Sequence, residues 1–288
     1  MDFRKYLEKQ QLSINTIEGY LKVLNMLLDW CKEEGIKPEK LRYNDMLSYI
    51  RHATNKGHSK RYINEQLTVA RHYFNYLIKI GKIKDNVADS LFIKGISRRL
   101  PHDLLDEEKL YKIYEEYPTK GLAGKRNKVM LGVMVYQGLN TEELGKLQAE
   151  HIQLKEGKIY VPGGRRSNSR LLPLAAHQVL ELKDYMEKTH PLILQVAEKE
   201  TDQLFTSIGQ SERVSNTITK LLKNVQKYVP EVKSVKQIRM SVITHWLEKF
   251  NIREVQYMAG HRYVSSTERY MLTSLDDLQN DLNEFHPL

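Results

Sequence analysis

The sequence predicts a mainly α-helical chain of two domains: an N-terminal helical bundle, and a larger helical domain that carries a small antiparallel three-stranded sheet. Three observations predict it. Apolar residues recur at the 3.6-residue spacing of amphipathic helices over most of the 288 residues. Short β-prone runs cluster between residues 151 and 174. The periodicity lapses at IKGISRRLP, which holds Gly95, Ser97 and two arginines, so residues 94–104 read as a linker between domains spanning 1–93 and 105–288.

Each element follows in order. A short opening helix precedes Ser13, which reads as the N-cap of a stripe formed by Ile17, Tyr20, Leu21, Leu24, Leu27 and Leu28, ending near Glu34 before Gly35. Leu41 to Ile50 supplies a packing partner. Ser59 opens another long helix, where Ile63, Leu67, Ala70, Phe74 and Leu77 repeat until Gly81. Lys60, Arg61, Asn64 and Arg71 lie off that stripe, and Trp30, Tyr73 and Trp246 read as core. Beyond the linker, Asp106 caps a helix, Val129 to Tyr136 forms a buried one, and Thr141 caps a short one with Glu142 and Glu143 in its first turn. HIQL, KIYV and RLLPL then read as strands, the first two joined around Glu156-Gly157 and the last two by the polar loop GGRRSNS. Helices follow near 175–188, 213–227, 236–249 and 252–259, with His245 a hydrogen-bonded helix residue.

Composition narrows the function. Lys and Arg number 45 against 36 Asp and Glu, a formal charge of +9, and residues 1–99 alone hold 19 basic and 11 acidic side chains. Nearly all the excess positive charge thus sits in the first third, which points to a polyanion held there, most simply nucleic acid. One cysteine, Cys31, excludes a disulfide framework and any cysteine-rich zinc module. No apolar run is long enough for a membrane span and the start is too polar for a secretory signal, so the expected location is cytoplasmic. Phosphate-binding GxxxxGK[ST], dinucleotide GxGxxG, HExxH and EF-hand patterns are absent, and no cofactor or metal is expected.

The informative residues come late. Lys236-Gln-Ile-Arg239 opens one helix, and MAGHRYVSSTERY places His261 nine residues before Tyr270. Taken in order with Gly138-Leu-Asn140-Thr-Glu-Glu143-Leu and with Gly164-Arg165 ahead of Arg170-Leu-Leu-Pro-Leu174, these residues resemble the tyrosine recombinase (phage integrase) family. That family carries G-L-R-x-x-E-L, a hairpin lysine before a strand ending in V-P-L, then H-x-L-R and G-H-x8-Y. Ser13 and Thr16, with Tyr20 and Trp30, resemble the first DNA-contacting helix of its core-binding domain. The ending FHPL resembles tails of mobile-element recombinases of the Bacteroidetes group.

The resemblance implies a site-specific recombinase that cuts and rejoins DNA through a 3′-phosphotyrosine, without metal or ATP, for integration, excision or transposition of a mobile element. Tyr270 would be the nucleophile. Arg239 and His261 would donate to the phosphate oxygens as negative charge develops, Lys236 and Arg165 would complete the catalytic set, and Glu143 with Asn140 would support it. Ser13, Thr16, Lys60, Arg61, Asn64, Arg71, Arg98, Arg99, Arg166 and Arg170 would contact DNA. The chain would close around duplex DNA with the linker crossing it, and act as a tetramer through the tail 275–285, where Leu275, Leu278, Leu282 and Phe285 form a stripe.

Three positions depart from the family pattern. Asn140 stands where the first arginine is expected, Arg165 replaces the hairpin lysine and is a poor general acid, and Lys236 replaces a histidine, as in type IB topoisomerases. Two other readings therefore stand beside the enzyme: a catalytically impaired DNA-binding accessory protein of the same fold, and a topoisomerase-like relaxation activity.

Overall fold

The computed structural model describes residues 2–96, 101–164, 167–209 and 214–271. The chain divides into two compact units, Met1–Arg98 and Arg99–Leu288.

The first unit is built from α1 (Phe3–Lys9), α2 (Ile14–Glu33), α3 (Tyr43–Asn55) and α4 (Lys60–Lys79). Ser13 and Ser59 cap α2 and α4, accepting the amide hydrogens of Thr16 and Tyr62. The apolar stripes meet in a core of Leu7, Ile17, Leu27, Met46, Leu67, Phe74 and Leu77, each at most 2% exposed. Trp30 lies in this core, and Tyr73 packs against it.

Two polar residues of α4 are occupied inside the unit. Arg71 donates through Nη1 to the Leu91 carbonyl at 2.7 Å, and its guanidinium lies 4.6 Å from the centre of the Phe92 ring. Asn64 accepts from the Ile93 amide. Both pin the segment after α4. Lys60 and Arg61 are exposed.

The second unit is organised around α6 (Gly121–Gln137), which is buried nearly all round and therefore central. Against it pack α5 (Glu107–Glu115), capped by Asp106, and α11 (Val235–Lys249), capped by Ser234. His245 of α11 is hydrogen-bonded to the Leu105 carbonyl at 2.9 Å. The short α7 (Thr141–Lys146) leads into a sheet in the order β1 (Ile152–Gln153), β2 (Lys158–Val161), β3 (Arg170–Pro173). All pairings are antiparallel, with Ile159 opposite Leu172 and Val161 opposite Arg170. Ile159 and Val161 face the core while Tyr160 faces out, the alternation of a half-buried strand. α10 (Val214–Val225) and α12 (Ile252–Ala259) complete the described elements, together with helical residues 265–271.

Two local expectations are corrected. The N-cap of α7 is Asn140 and not Thr141: its Oδ1 accepts from the amides of Glu142 and Glu143 at 2.9 and 3.0 Å. The helix expected to stop near 188 continues. α8 (Ala176–Asp184) widens into a π-turn at Tyr185–Thr189 and resumes as α9 (His190–Ala197). Pro191 accounts for the widening, because proline has no N–H for the regular ladder and its ring crowds the carbonyl four residues back.

Candidate active site

Two helix ends build the cradle. α6 and α12 both stop at a left-handed glycine, Gly138 at φ 60° and Gly260 at φ 65°. Carbonyls at a helix C-terminus lack intrahelical partners and carry the negative end of the helix dipole, so they favour a cation. Arg239 of α11 supplies it. Its Nη1 donates to the Gly138 carbonyl at 2.6 Å and its Nη2 to the Ala259 carbonyl. A Cβ at 138 would crowd Trp246 and Val242 at 3.3 Å, and one at 260 would clash with Nη1 of Arg170 at 2.5 Å.

Glu143 ties the cradle together from α7. It is buried, and its Oε2 accepts from the Asn140 amide at 3.0 Å and from Arg239 Nη1 at 3.1 Å. Its Oε1 accepts from Arg170 Nη1 at 2.8 Å. Burial alone would raise the Glu143 carboxyl, but the Arg170 hydrogen bond and the Arg239 charge outweigh it and hold the group below the usual carboxylate range. Asn140 brings no charge to the site, since its side chain serves as the cap of α7.

Arg170 is 2% exposed, which corrects its reading as a DNA contact: a guanidinium enclosed beside Glu143 is not a surface cation. Its Nε and Nη2 are buried and have no hydrogen-bond partner among the described residues.

His261 follows Gly260 directly. Its Nδ1 is 2.9 Å from the hydroxyl of the buried Thr267, and its ring stacks on Tyr270 with centroids 6.0 Å apart and planes 17° from parallel. Burial, then the charges of Arg239, Arg269 and Arg170, push the imidazole down to about 4, so it is neutral at pH 7. Tyr270 is 2% exposed, set among Ile243, Val255 and Ala259, and its hydroxyl accepts from Arg269 Nη2 at 2.9 Å. Tyr257 and Tyr263 are both exposed. The base of the β2–β3 hairpin lies beside this pair: Gly164 bridges Ser167, Ser167 bridges His261, and the Asn168 amide donates to the Gly260 carbonyl at 2.9 Å.

The structure thus brings together Glu143, Arg170, Arg239, His261 and Tyr270, with Lys236 exposed one turn before Arg239 on α11. Ser13 and Thr16 share a hydrogen bond at the start of α2 in the first unit. Arg98, Arg99, Arg165, Arg166 and the tail 275–285 lie outside the described residues. Two contributors were missed from sequence, Thr267 and Arg269. Arg269 adjoins Tyr270 in the chain, a signal that was available; the pairing of Thr267 with His261 depends on a helical turn and was not.

Chemically, the cluster offers a phenol, a neutral imidazole and a guanidinium with two N–H groups left over from its internal bonds. That set suits attack on a phosphodiester with hydrogen-bond stabilisation of the developing charge. Among the described residues, no three His, Cys, Asp or Glu side chains gather as a metal site, and no helix is long and apolar enough to cross a membrane.

Comparison with known proteins agrees with this geometry. Residues 103–275 match the model of the phage integrase family, and residues 1–81 match that of the phage integrase N-terminal SAM-like domain. The chain is 26% identical to tyrosine recombinase XerD of Listeria innocua serovar 6a, over 99% of this chain and 97% of that protein. It is 27% identical to tyrosine recombinase XerC of Pelotomaculum thermopropionicum, over the same shares. Among solved structures, the XerH site-specific recombinase bound to a palindromic difH substrate in a post-cleavage complex matches with a TM-score of 0.73 at 17% identity, covering 96% of this chain and 82% of that one. The Tn1549 transposon integrase in complex with transposon right end DNA matches with a TM-score of 0.68 at 14% identity, covering 99% of each chain.

Proposed function

The chain belongs to the phage integrase family of tyrosine recombinases, and from that premise we propose that Tyr270 is the residue through which it cuts and rejoins DNA. The enzyme is a site-specific recombinase that transfers DNA strands. The observation that carries the assignment is the gathering of Tyr270, His261, Arg239 and Glu143 from three separate stretches of sequence into one cluster.

The hydroxyl of Tyr270 releases its proton to water and its oxygen attacks phosphorus, forming the phosphotyrosine bond while the bond from phosphorus to the 5′ oxygen breaks. Arg239, held by Glu143 and the two helix-end carbonyls, directs its remaining donors at the non-bridging oxygens, where preorganisation counts most because no reordering is needed as charge develops. Neutral His261 adds a further hydrogen bond there. The departing 5′ oxygen takes a proton, and Lys236 is the donor best suited to it, because an ammonium releases a proton far more readily than the guanidinium of Arg165. A 5′ hydroxyl from a second strand then attacks the phosphotyrosine and gives its proton to Lys236, and the Tyr270 phenolate leaves and takes a proton from water. Arg269, already donating to the Tyr270 oxygen, stabilises it as that bond breaks.

Duplex DNA is the partner, with Lys60, Arg61, Ser13, Thr16, Arg98, Arg99 and Arg166 as its contacts in this reading. Movement of a mobile element is supported by the FHPL ending and by the likeness to a transposon integrase. The apolar stripe of Leu275, Leu278, Leu282 and Phe285 supports assembly on DNA through the tail, in the tetramer that pairing two sites requires.

The test is covalent trapping on nicked suicide duplexes tiled across the DNA flanking the gene. Wild-type protein is expected to form an adduct that mass spectrometry maps to Tyr270. Tyr270→Phe should fold and bind the duplex with nearly unchanged affinity yet form none. An adduct that survives this substitution, or that maps to Tyr257 or Tyr263, reassigns the nucleophile. DNA binding without any adduct identifies an accessory protein instead.

A further inference from the structure

The hairpin strand β3 places a second arginine, Arg170, inside the cluster, where the sequence reading puts a DNA contact. We propose that Arg170 is a positioning residue of strand transfer: it makes good the cation that position 140 lacks by clamping Glu143 against Arg239 and adding a positive charge at that end of the buried cluster. The proposal rests on the reading of Tyr270 and Arg239 given above.

Four observations carry it. First, Asn140 is uncharged and its side chain is occupied as the cap of α7, so it leaves no cation at the place where the family pattern has its first arginine. Second, Arg170 and Arg239 grip opposite oxygens of the same carboxylate, at 2.8 and 3.1 Å. Glu143 and Arg239 alone form a neutral pair, and Arg269 beside the Tyr270 hydroxyl brings the cluster to one net positive charge; Arg170 raises it to two and places the added charge against Glu143 and Arg239. Third, the Arg170 side chain is fully enclosed, so it acts on a phosphate through Glu143 and Arg239 and not by touching it. Its field is nonetheless strong there, since little water screens it.

Fourth, the placement is poor for stability alone. Two donors, Nε and Nη2, have no partner among the described residues, and buried polar groups are normally satisfied. The guanidinium also needs Gly260, because a Cβ there would lie 2.5 Å from Nη1. The glycine before His261 therefore has a second duty besides ending α12: it leaves the room in which Arg170 reaches Glu143.

The experiment compares four full-length proteins in single-turnover adduct formation on the nicked duplexes described above: wild type, Arg170→Met, Asn140→Arg and the double variant. Arg170→Met should lower the rate by about 100-fold, the cost typical of losing one preorganised charge or donor, with duplex affinity within about twofold. Asn140→Arg alone should bring no gain in rate, because the cluster already holds that cation and the change removes the side chain that caps α7. In the Arg170→Met background the same Asn140→Arg change should restore the rate by about tenfold or more, a recovery that a merely scaffolding arginine does not permit.

A wild-type rate in Arg170→Met overturns the proposal, and so does a double variant no faster than Arg170→Met. A gain of about tenfold from Asn140→Arg alone also overturns it, since it shows the cluster short of a cation with Arg170 in place; this arm decides the matter if Arg170→Met does not fold. Absence of a Tyr270 adduct in the wild type is a different result and overturns the functional reading itself.

Discussion

His261 is where the residue scale has a measurable signature. Burial and the facing charges of Arg239, Arg269 and Arg170 hold it near 4, with Glu143 opposing them, whereas an unfolded histidine titrates near 6.5. Between those values the unfolded chain binds a proton that the folded chain refuses, so stability must fall as pH is lowered through that window. Calorimetric melting from pH 7 to 4.5 should show that fall, and His261→Gln should make it shallower. The rate of adduct formation should show no inflection near 6.5 from this group, because the folded imidazole is neutral on both sides of it. Arg239, His261 and Tyr270 were legible in the sequence through order and spacing. The inward role of Arg170 was not, because its place beside RRSNS reads as part of a basic loop, and only the pairing of Val161 with Arg170 turns its side chain toward Glu143.

At the scale of elements, Gly138 joins backbone conformation to chemistry. Its left-handed φ ends α6, its missing side chain admits Trp246, and its carbonyl accepts from Arg239. Gly138→Ala should cost about 1–2 kcal/mol in denaturant unfolding, the usual penalty of a side chain in that region. It should slow adduct formation by about tenfold or more, because a shift of the carbonyl moves the guanidinium. A loss of rate beyond what that loss of stability explains fits this account; a rate unchanged from wild type contradicts it. The capped helices and the three strands were legible, since serine and aspartate before an apolar stripe and alternating short runs have local causes. α9 was not, because Pro191 reads as a stop and the π-turn that accommodates it depends on packing around Tyr185 and Ile193.

For the whole molecule the governing quantity is charge. Residues 1–99 carry a surplus of eight positive charges, and Lys60 and Arg61 at the start of α4 are exposed. Each phosphate neutralised contributes roughly 0.9 to the slope of log affinity against log salt. The full chain should therefore bind duplex DNA with a steep slope, and Lys60→Gln with Arg61→Gln should reduce it by between roughly one and two, read by fluorescence anisotropy at several salt concentrations. An unchanged slope removes these residues from the interface. The enclosed Tyr270 adds something that affinity alone does not supply. A phenol stacked on His261 and covered by Ile243, Val255 and Ala259 reaches a phosphate only after leaving that site, and the free energy for leaving has to come from the grip on DNA. With Tyr270 as the proposed nucleophile, loosely held, mismatched DNA should therefore be occupied without being cut, so that the fidelity of strand transfer exceeds the selectivity of binding.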